Sequence, residues 1–600
     1  MKYTEALSEL VKLEVVYANE VLKKNADQLR AVVPAAEWEL QGLNNYNYWT
    51  GAFLLAHLYK LDHPDNPLNG EEWLADLAVN LTDKWSQWYQ LLKKSGQGVY
   101  SVEWPPLITG QVLDLLGDRV SDAQRASWME YMEAWIELAS TRPYGFTSPN
   151  HEGWRQVGMY RLGRFFDRPE WCDLSHYMCL QELNYQTAEG FWEESPLNGP
   201  SMRYNHLMLA PLAWMYRLTE DEKIGEACGR LANFMATYTF PDGITVGAFD
   251  GRQSTSPAWF APVCPGMELE AEGRTLNSRG IKLWKEMLVH GGVRLIGSSA
   301  WYTFFQNYFV ADAVDYYGNA LPEAEQREAF SEDIPLKVDV PGVCENHTRT
   351  FEGIMQRKGK WVLALSGQYA IKALRNPSLY NLGRQSRISL WHENARLVLG
   401  GGHERFDFVF PYANAILDTG WAGDTDFGLV GQNKDDRKRS YYVPHWSETW
   451  MKDTVAHLKT VFGHGTVEWT VDLQDDETAV IKAAWDIRRV KRLVLQVPLI
   501  VSDGAVLTID GTEKAGLEFV RLDAEKEVAV SGGLFKSDVK VKIPANVPCK
   551  VNYPLDILRT YLDLFDKEEF EPPFRMAFIC CQWTDPADTG EAEFSIKIGK

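Results

Sequence analysis

The 600-residue chain has no apolar run long enough to span a bilayer, no Cys-x-x-Cys pair and no excess of positive charge. Without a long apolar run there is no call for a membrane-crossing helix, and no membrane partner is expected. Without paired cysteines there is no zinc ribbon and no dithiol redox motif. The eight cysteines (172, 179, 228, 264, 344, 549, 580 and 581) are scattered in mostly apolar settings, which predicts buried thiols and a reducing compartment. The formal net charge of −21 argues against a nucleic-acid partner, which a basic surface would attract. The opening stretch MKYTEALSELVKLEVVYANEVLKK has no apolar leader core and reads as a charged amphipathic helix. Cytoplasm is the expectation, with a secreted or periplasmic protein lacking its signal as the alternative. No strict sequence repeat of the solenoid kind runs along the chain.

Aromatic residues, by contrast, are abundant: 23 Trp, 26 Tyr and 26 Phe. Such rings suit stacking on sugars, and they suit equally the filling of a large helical core. Charge is uneven. Residues 349–405 hold ten Lys/Arg against three acids, a balance of +7, and residues 142–168 hold five Arg against two acids, a balance of +3. Two basic islands on an acidic protein can draw an anion into one cleft, or can simply be solvated faces.

At this length more than one core is expected. Residues 1–320 carry apolar positions at helical spacing, broken by turn clusters at 62–70, 140–150 and 240–257. Successive helices with short connections predict an (α/α) toroid. Residues 321–345 read as a linker. From 346 to 600 the pattern becomes short alternating runs bounded by Gly, Asp and Pro, such as WVLALSG, SRISLWHE, TVEWTVDL and EFSIKIG, which predicts an antiparallel β-sandwich.

Three segments of the helical part concentrate polar side chains. In TSPNHEGWRQVGMYRLGRFF (147–166), Ser148 or Asn150 is placed to cap a helix, with His151 and Arg155 on one face of it. In EGFWEESPLNGPSMRYNHLMLAPLAWMYRL (189–218), a Gly/Pro-rich loop with Glu193 and Glu194 runs into a helix bearing Arg203, Tyr204 and His206. The loop PDGITVGAFDGRQ adds Asp242, Asp250 and Arg252. Each of these residues also has a bland reading, as a cap, a local hydrogen-bonding group or a buried structural side chain.

Lytic cleavage of a uronate polymer needs this kind of set. The proton to be removed sits alpha to a carboxylate, so donors such as Asn, His or Arg must neutralise that carboxylate before a base can act. An acid must then protonate the leaving glycosidic oxygen, and Tyr or His can serve. Hydrolysis would need two carboxyl groups instead, and Glu152, Glu193, Glu194 and Asp250 leave that open.

At these residues the sequence resembles the polysaccharide lyases built of an α/α toroid and a β-sandwich, the heparinase II/III-like, oligoalginate and chondroitin lyases. The Asn150-His151 pair and Tyr204, within GFWEESPLNGPSMRYNH, carry the resemblance. It implies β-elimination on a uronic-acid-containing polysaccharide or oligosaccharide. Asn150 would neutralise the carboxylate, Tyr204 would be acid or base, His151 the partner base or second neutraliser, and Arg252 the carboxylate-binding arginine. Arg155, Glu194, Arg203, His206, Arg384, Gln385 and His403 are the expected substrate contacts. The family's further histidine from the early sandwich strands is missing: in YNLGRQSRISLWHENARLVLGGGHERF (380–406) Arg384 and Gln385 stand about where it should be, with His347, His392 and His403 as replacements. No cofactor is required, no motif specifies a metal, and a structural ion at the sandwich is compatible with the sequence. A glycoside hydrolase on a related toroid and a non-catalytic carbohydrate-binding protein remain the alternatives. Oligomeric state is not legible.

Overall fold

The protein is described by a computed structural model, which defines residues 3–30, 47–96, 103–143, 149–193, 202–246, 263–292, 308–315, 336–339, 352–367, 387–400, 415–418, 446–514, 520–522, 526–544, 547, 549–555 and 574–599. The helices are α1 (Tyr3–Tyr17), α2 (Ala26–Arg30), α3 (Asn47–Lys60), α4 (Glu72–Lys94), α5 (Trp104–Leu116), α6 (Asp122–Thr141), α7 (Pro149–Phe165), α8 (Pro169–Glu182), α9 (Met202–Thr219), α10 (Glu222–Thr237) and α11 (Ala271–Gly291). Residues 308–315 are also helical.

The starts of these helices follow from local chemistry. Ser121 accepts from the Gln124 backbone while Gln124 reaches back, a capping box that opens α6. Asp221 accepts from Lys223 N at the head of α10. The sequence pattern did not reveal α5. Its Pro105 and Pro106 fall in the first turn, where a missing N–H costs nothing.

The helices form two concentric rings. Odd-numbered α3, α5, α7 and α9 pack side by side, and each pairs with the following even-numbered helix outside it. The ring closes where α11 packs on α1, with Lys285 Nζ 2.9 Å from Glu9. Inner helices are buried nearly all round, and aromatic side chains fill the axis. Trp154 lies 5.2 Å from Trp214, Trp214 lies 4.9 Å from Tyr308, and Tyr308 lies 5.0 Å from Phe53. Eight tryptophans rank among the largest fully buried side chains. Much of the tryptophan content therefore serves the core rather than a sugar-stacking surface.

The expected sandwich follows. One sheet runs, in spatial order, Leu336–Asp339, Glu352–Lys358, Trp361–Ser366, Arg387–His392, Arg396–Leu399, Arg492–Ser502, Phe574–Thr584, Cys549–Leu555 and Val520–Leu522, with Ala415–Asp418 also paired to Arg492–Ser502. The other runs Thr512–Lys514, Ala505–Ile509, Glu527–Gly532, Ser537–Lys542, Thr589–Ile598, Thr478–Ile487, Gly465–Leu473, Val455–Phe462 and Trp446–Lys452. Every pairing is antiparallel. Strand β1 (Leu336–Asp339) lies inside the stretch expected to be linker and pairs with β2 (Glu352–Lys358).

The central strands of the first sheet are buried on both faces. Along β3 (Trp361–Ser366), Trp361, Leu363 and Leu365 enter the core between the sheets, while Val362 and Ala364 join the helical core. Polar pins reinforce this contact. Trp391 Nε1 donates to Asp242 Oδ2 at 2.9 Å, and Arg396 stands 3.4 Å from Glu286.

Candidate functional site

Helices α7 and α9 run parallel, and their contacts show the register. Trp154 Nε1 donates to Leu207 O at 2.9 Å, and the Arg161 guanidinium sits 5.5 Å from the Trp214 ring. Both pairs are 53 residues apart in sequence. The same offset sets His151, in the first turn of α7, level with Tyr204, in the first turn of α9. The helices approach closely because Gly153 lacks a side chain. A Cβ there would lie 2.9 Å from Met208 Sδ and 3.1 Å from Pro211 Cγ.

The start of α5 adds a third wall. Glu103 Oε2 lies 3.1 Å from His151 Nδ1, and the Trp104 ring lies 5.3 Å from the His151 ring. Arg142 Nη1 stands 3.9 Å from the other Glu103 oxygen. Asn150 is 1% exposed and Tyr204 8%, whereas the His151 side chain is 35% exposed. His151 is thus the member of this trio most open to solvent.

Of the other expected site residues, Arg155, His206, Asp242 and His392 turn inward. Asn150 is not the helix cap, because α7 begins at Pro149 and places it in the first turn. Arg155 does share a helix face with His151, but one turn deeper that face is closed. Its guanidinium is 3.0 Å from Glu152 and donates to the Arg142 carbonyl at 2.9 Å, fixing the chain that enters α7. His206 is buried, and burial pushes its pKa down to about 3, so its imidazole stays neutral. Asp242 is spent on Trp391 and on Ile244 N, which holds its loop to the sandwich. His392 packs against Trp361 at 4.5 Å and meets the Asp476 carbonyl at 2.7 Å, within the sandwich. Glu194, Asp250, Arg252, His347, Arg384, Gln385 and His403 lie outside the described residues, as does the side chain of Arg203.

Two contributors escaped the sequence pattern. Glu103 meets His151 across 48 positions, a distance over which no local motif operates. Asn205 accepts from Trp192 N at 2.7 Å and donates to Trp192 O at 2.9 Å, anchoring the GFW stretch against α9.

The basic island at 142–168 is largely neutralised by Glu103, Glu152 and Glu170, which face Arg142, Arg155 and Arg168. In the other island Arg396 lies between Asp242 and Glu286. Among the described residues no group of three or more His, Cys, Asp or Glu is placed to hold a metal ion. No described helix is long and apolar enough to cross a membrane.

A solved structure of the chondroitin AC lyase of Streptomyces coelicolor, in complex with chondroitin sulphate, superposes with a TM-score of 0.51 over 100% of this chain and 83% of that one, at 10% identity. The chain has the fold of the toroid-and-sandwich polysaccharide lyases. A heparan sulfate lyase from Pedobacter heparinus matches at TM-score 0.45 and 12% identity, over 93% of this chain and 76% of that one. An unsaturated glucuronyl hydrolase from Bacillus sp. GL1 matches at TM-score 0.37 and 11% identity, over 52% of this chain and 96% of that one. No family model matches the sequence, and no curated protein does.

Proposed function

We propose that the chain is a polysaccharide lyase that cleaves a uronic-acid-containing polysaccharide or oligosaccharide by β-elimination. The observation that carries this reading is the levelling of Asn150, His151 and Tyr204 on the first turns of two adjacent inner helices. In this reading the Asn150 amide hydrogen-bonds the substrate carboxylate and disperses the charge that builds on it when the C5 proton leaves. The electron pair of the C5–H bond forms the C4–C5 double bond, and the C4–O4 bond breaks. His151 and Tyr204 share the proton work: one takes the C5 proton and the other protonates O4. Of the carboxyl groups that a hydrolytic reading would use, Glu152 is paired with Arg155 at 3.0 Å, and Glu194 and Asp250 lie outside the described residues.

The test is ultraviolet absorbance of uronate polymers and oligosaccharides incubated with the protein. Lytic cleavage leaves a double bond conjugated to the carboxylate, and hydrolysis does not. A rise in absorbance that Tyr204→Phe abolishes is the expected result. New reducing ends without a rise would overturn it. Asn150→Ala is expected to lower kcat by about 10²- to 10³-fold, the usual cost of losing one donor to a developing oxyanion.

A further inference from the structure

We propose that Glu103 is a positioning residue that fixes the tautomer and aim of His151, making its Nε2 the base that removes the C5 proton. This deepens the lyase reading and rests on it.

The geometry begins with α5. Its opening turn places Glu103 beside the first turn of α7, where only 5% of the Glu103 side chain is exposed. A carboxylate can only accept hydrogen bonds, so an imidazole nitrogen 3.1 Å away must carry the hydrogen. Neutral His151 is therefore the Nδ1–H tautomer, with its lone pair on Nε2. Trp104, the next residue after Glu103, packs on the same imidazole at a tilt of 51°. Carboxylate and indole together leave the ring little freedom. The arrangement follows a general logic in which a buried acid orients an imidazole and stabilises the imidazolium that forms on proton uptake.

The proton inventory closes. Nε2 of His151 takes the C5 proton, the C5–H pair becomes the double bond, and O4 leaves with the proton of the Tyr204 hydroxyl. Transfer from His151 back to Tyr204, directly or through solvent, resets the site. Glu103 touches no reacting atom. The competing reading is that Glu103 only neutralises Arg142, 3.9 Å from its other oxygen.

The experiment combines ¹⁵N NMR of histidine-labelled protein with steady-state kinetics. The His151 signal is assigned by its loss in His151→Gln. The wild type is expected to show a pyrrole-like Nδ1 and a pyridine-like Nε2, and Glu103→Ala is expected to shift the ring toward the other tautomer. With the substrate found by absorbance, Glu103→Ala should lower kcat by about 10²-fold with KM within about twofold, the pattern of a group acting only in the transition state. Glu103→Gln keeps size and folding, and its carbonyl can still accept, so it should recover part of the rate. A pyridine-like Nδ1 in the wild type would overturn the inference, as would an unchanged kcat in both variants. A wild type that makes no unsaturated product would instead sink the lyase reading, and the tautomer would still decide whether Glu103 controls His151.

Discussion

At the level of single residues, the chain keeps one imidazole reachable and another sealed. His151 stands 35% exposed beside a carboxylate, while His206, two positions beyond Tyr204, is 4% exposed. Burial lowers the His206 pKa to about 3. The unfolded chain binds a proton near pH 6.5 and the folded chain does not, so His206 must weaken the fold as pH falls from about 6.5 toward 3. The slope is at most about 1.4 kcal/mol per pH unit. Denaturant titrations between pH 4.5 and 7 should therefore show a shallower decline for His206→Gln than for the wild type, and equal slopes would refute the assignment. Sequence reasoning singled out Asn150, His151 and Tyr204 because each lies in a short polar cluster at a helix start. It took Arg155 for a site residue because spacing gives the face of a helix and not its depth. It missed Glu103 because its partner is distant in the chain.

Among the elements, the succession of helices was legible in apolar spacing and turn clusters, and the strand runs were legible in their alternation. Helix α5 was not among the helical stretches read from spacing, and a four-residue strand too short to show a pattern hid β1 in the expected linker. What no pattern gives is the fit between helices, and at α7 and α9 that fit rests on Gly153. Gly153→Ala places a methyl 2.9 Å from Met208 Sδ and 3.1 Å from Pro211 Cγ. The sulfur end of Met208 can yield more readily than the ring of Pro211, so the helices should part slightly rather than separate. Overpacking of this kind costs about 1–3 kcal/mol. A lower melting temperature, together with a loss of turnover larger than that from a distant mutation of equal stability cost, is the expected pair of results. Loss of stability with turnover intact would mean that the α7–α9 spacing does not set the site.

For the molecule as a whole, the question is what keeps a ring of helices closed. The aromatic axis supplies cohesion but does not select where the ring joins. Near the join, three polar groups meet: Glu14 of α1, His57 of α3 and Asp315 of the last described helical stretch. His57 Nδ1 is 3.5 Å from Glu14, and Nε2 is 2.9 Å from Asp315. Burial alone would push the His57 pKa down. The Glu14 charge and the hydrogen bond to Asp315 outweigh it and raise the pKa to about 10, while burial pushes the Glu14 carboxyl upward in turn. The folded protein then holds a proton that the unfolded chain releases near pH 6.5. By linkage the resulting stabilisation is fully present below about pH 6.5 and is lost as pH rises toward 10, by at most about 1.4 kcal/mol per unit. The sign is opposite to that of His206, so two histidines of one domain bound its stability from the two sides of neutrality. Urea unfolding of the wild type and His57→Gln at pH 7, 8 and 9 separates the two effects. The variant should start less stable, since it leaves buried Glu14 without its counter-charge, and should lose less on going from pH 7 to 9. Parallel pH dependence in the two proteins would show that closure of the ring owes nothing to the His57 proton.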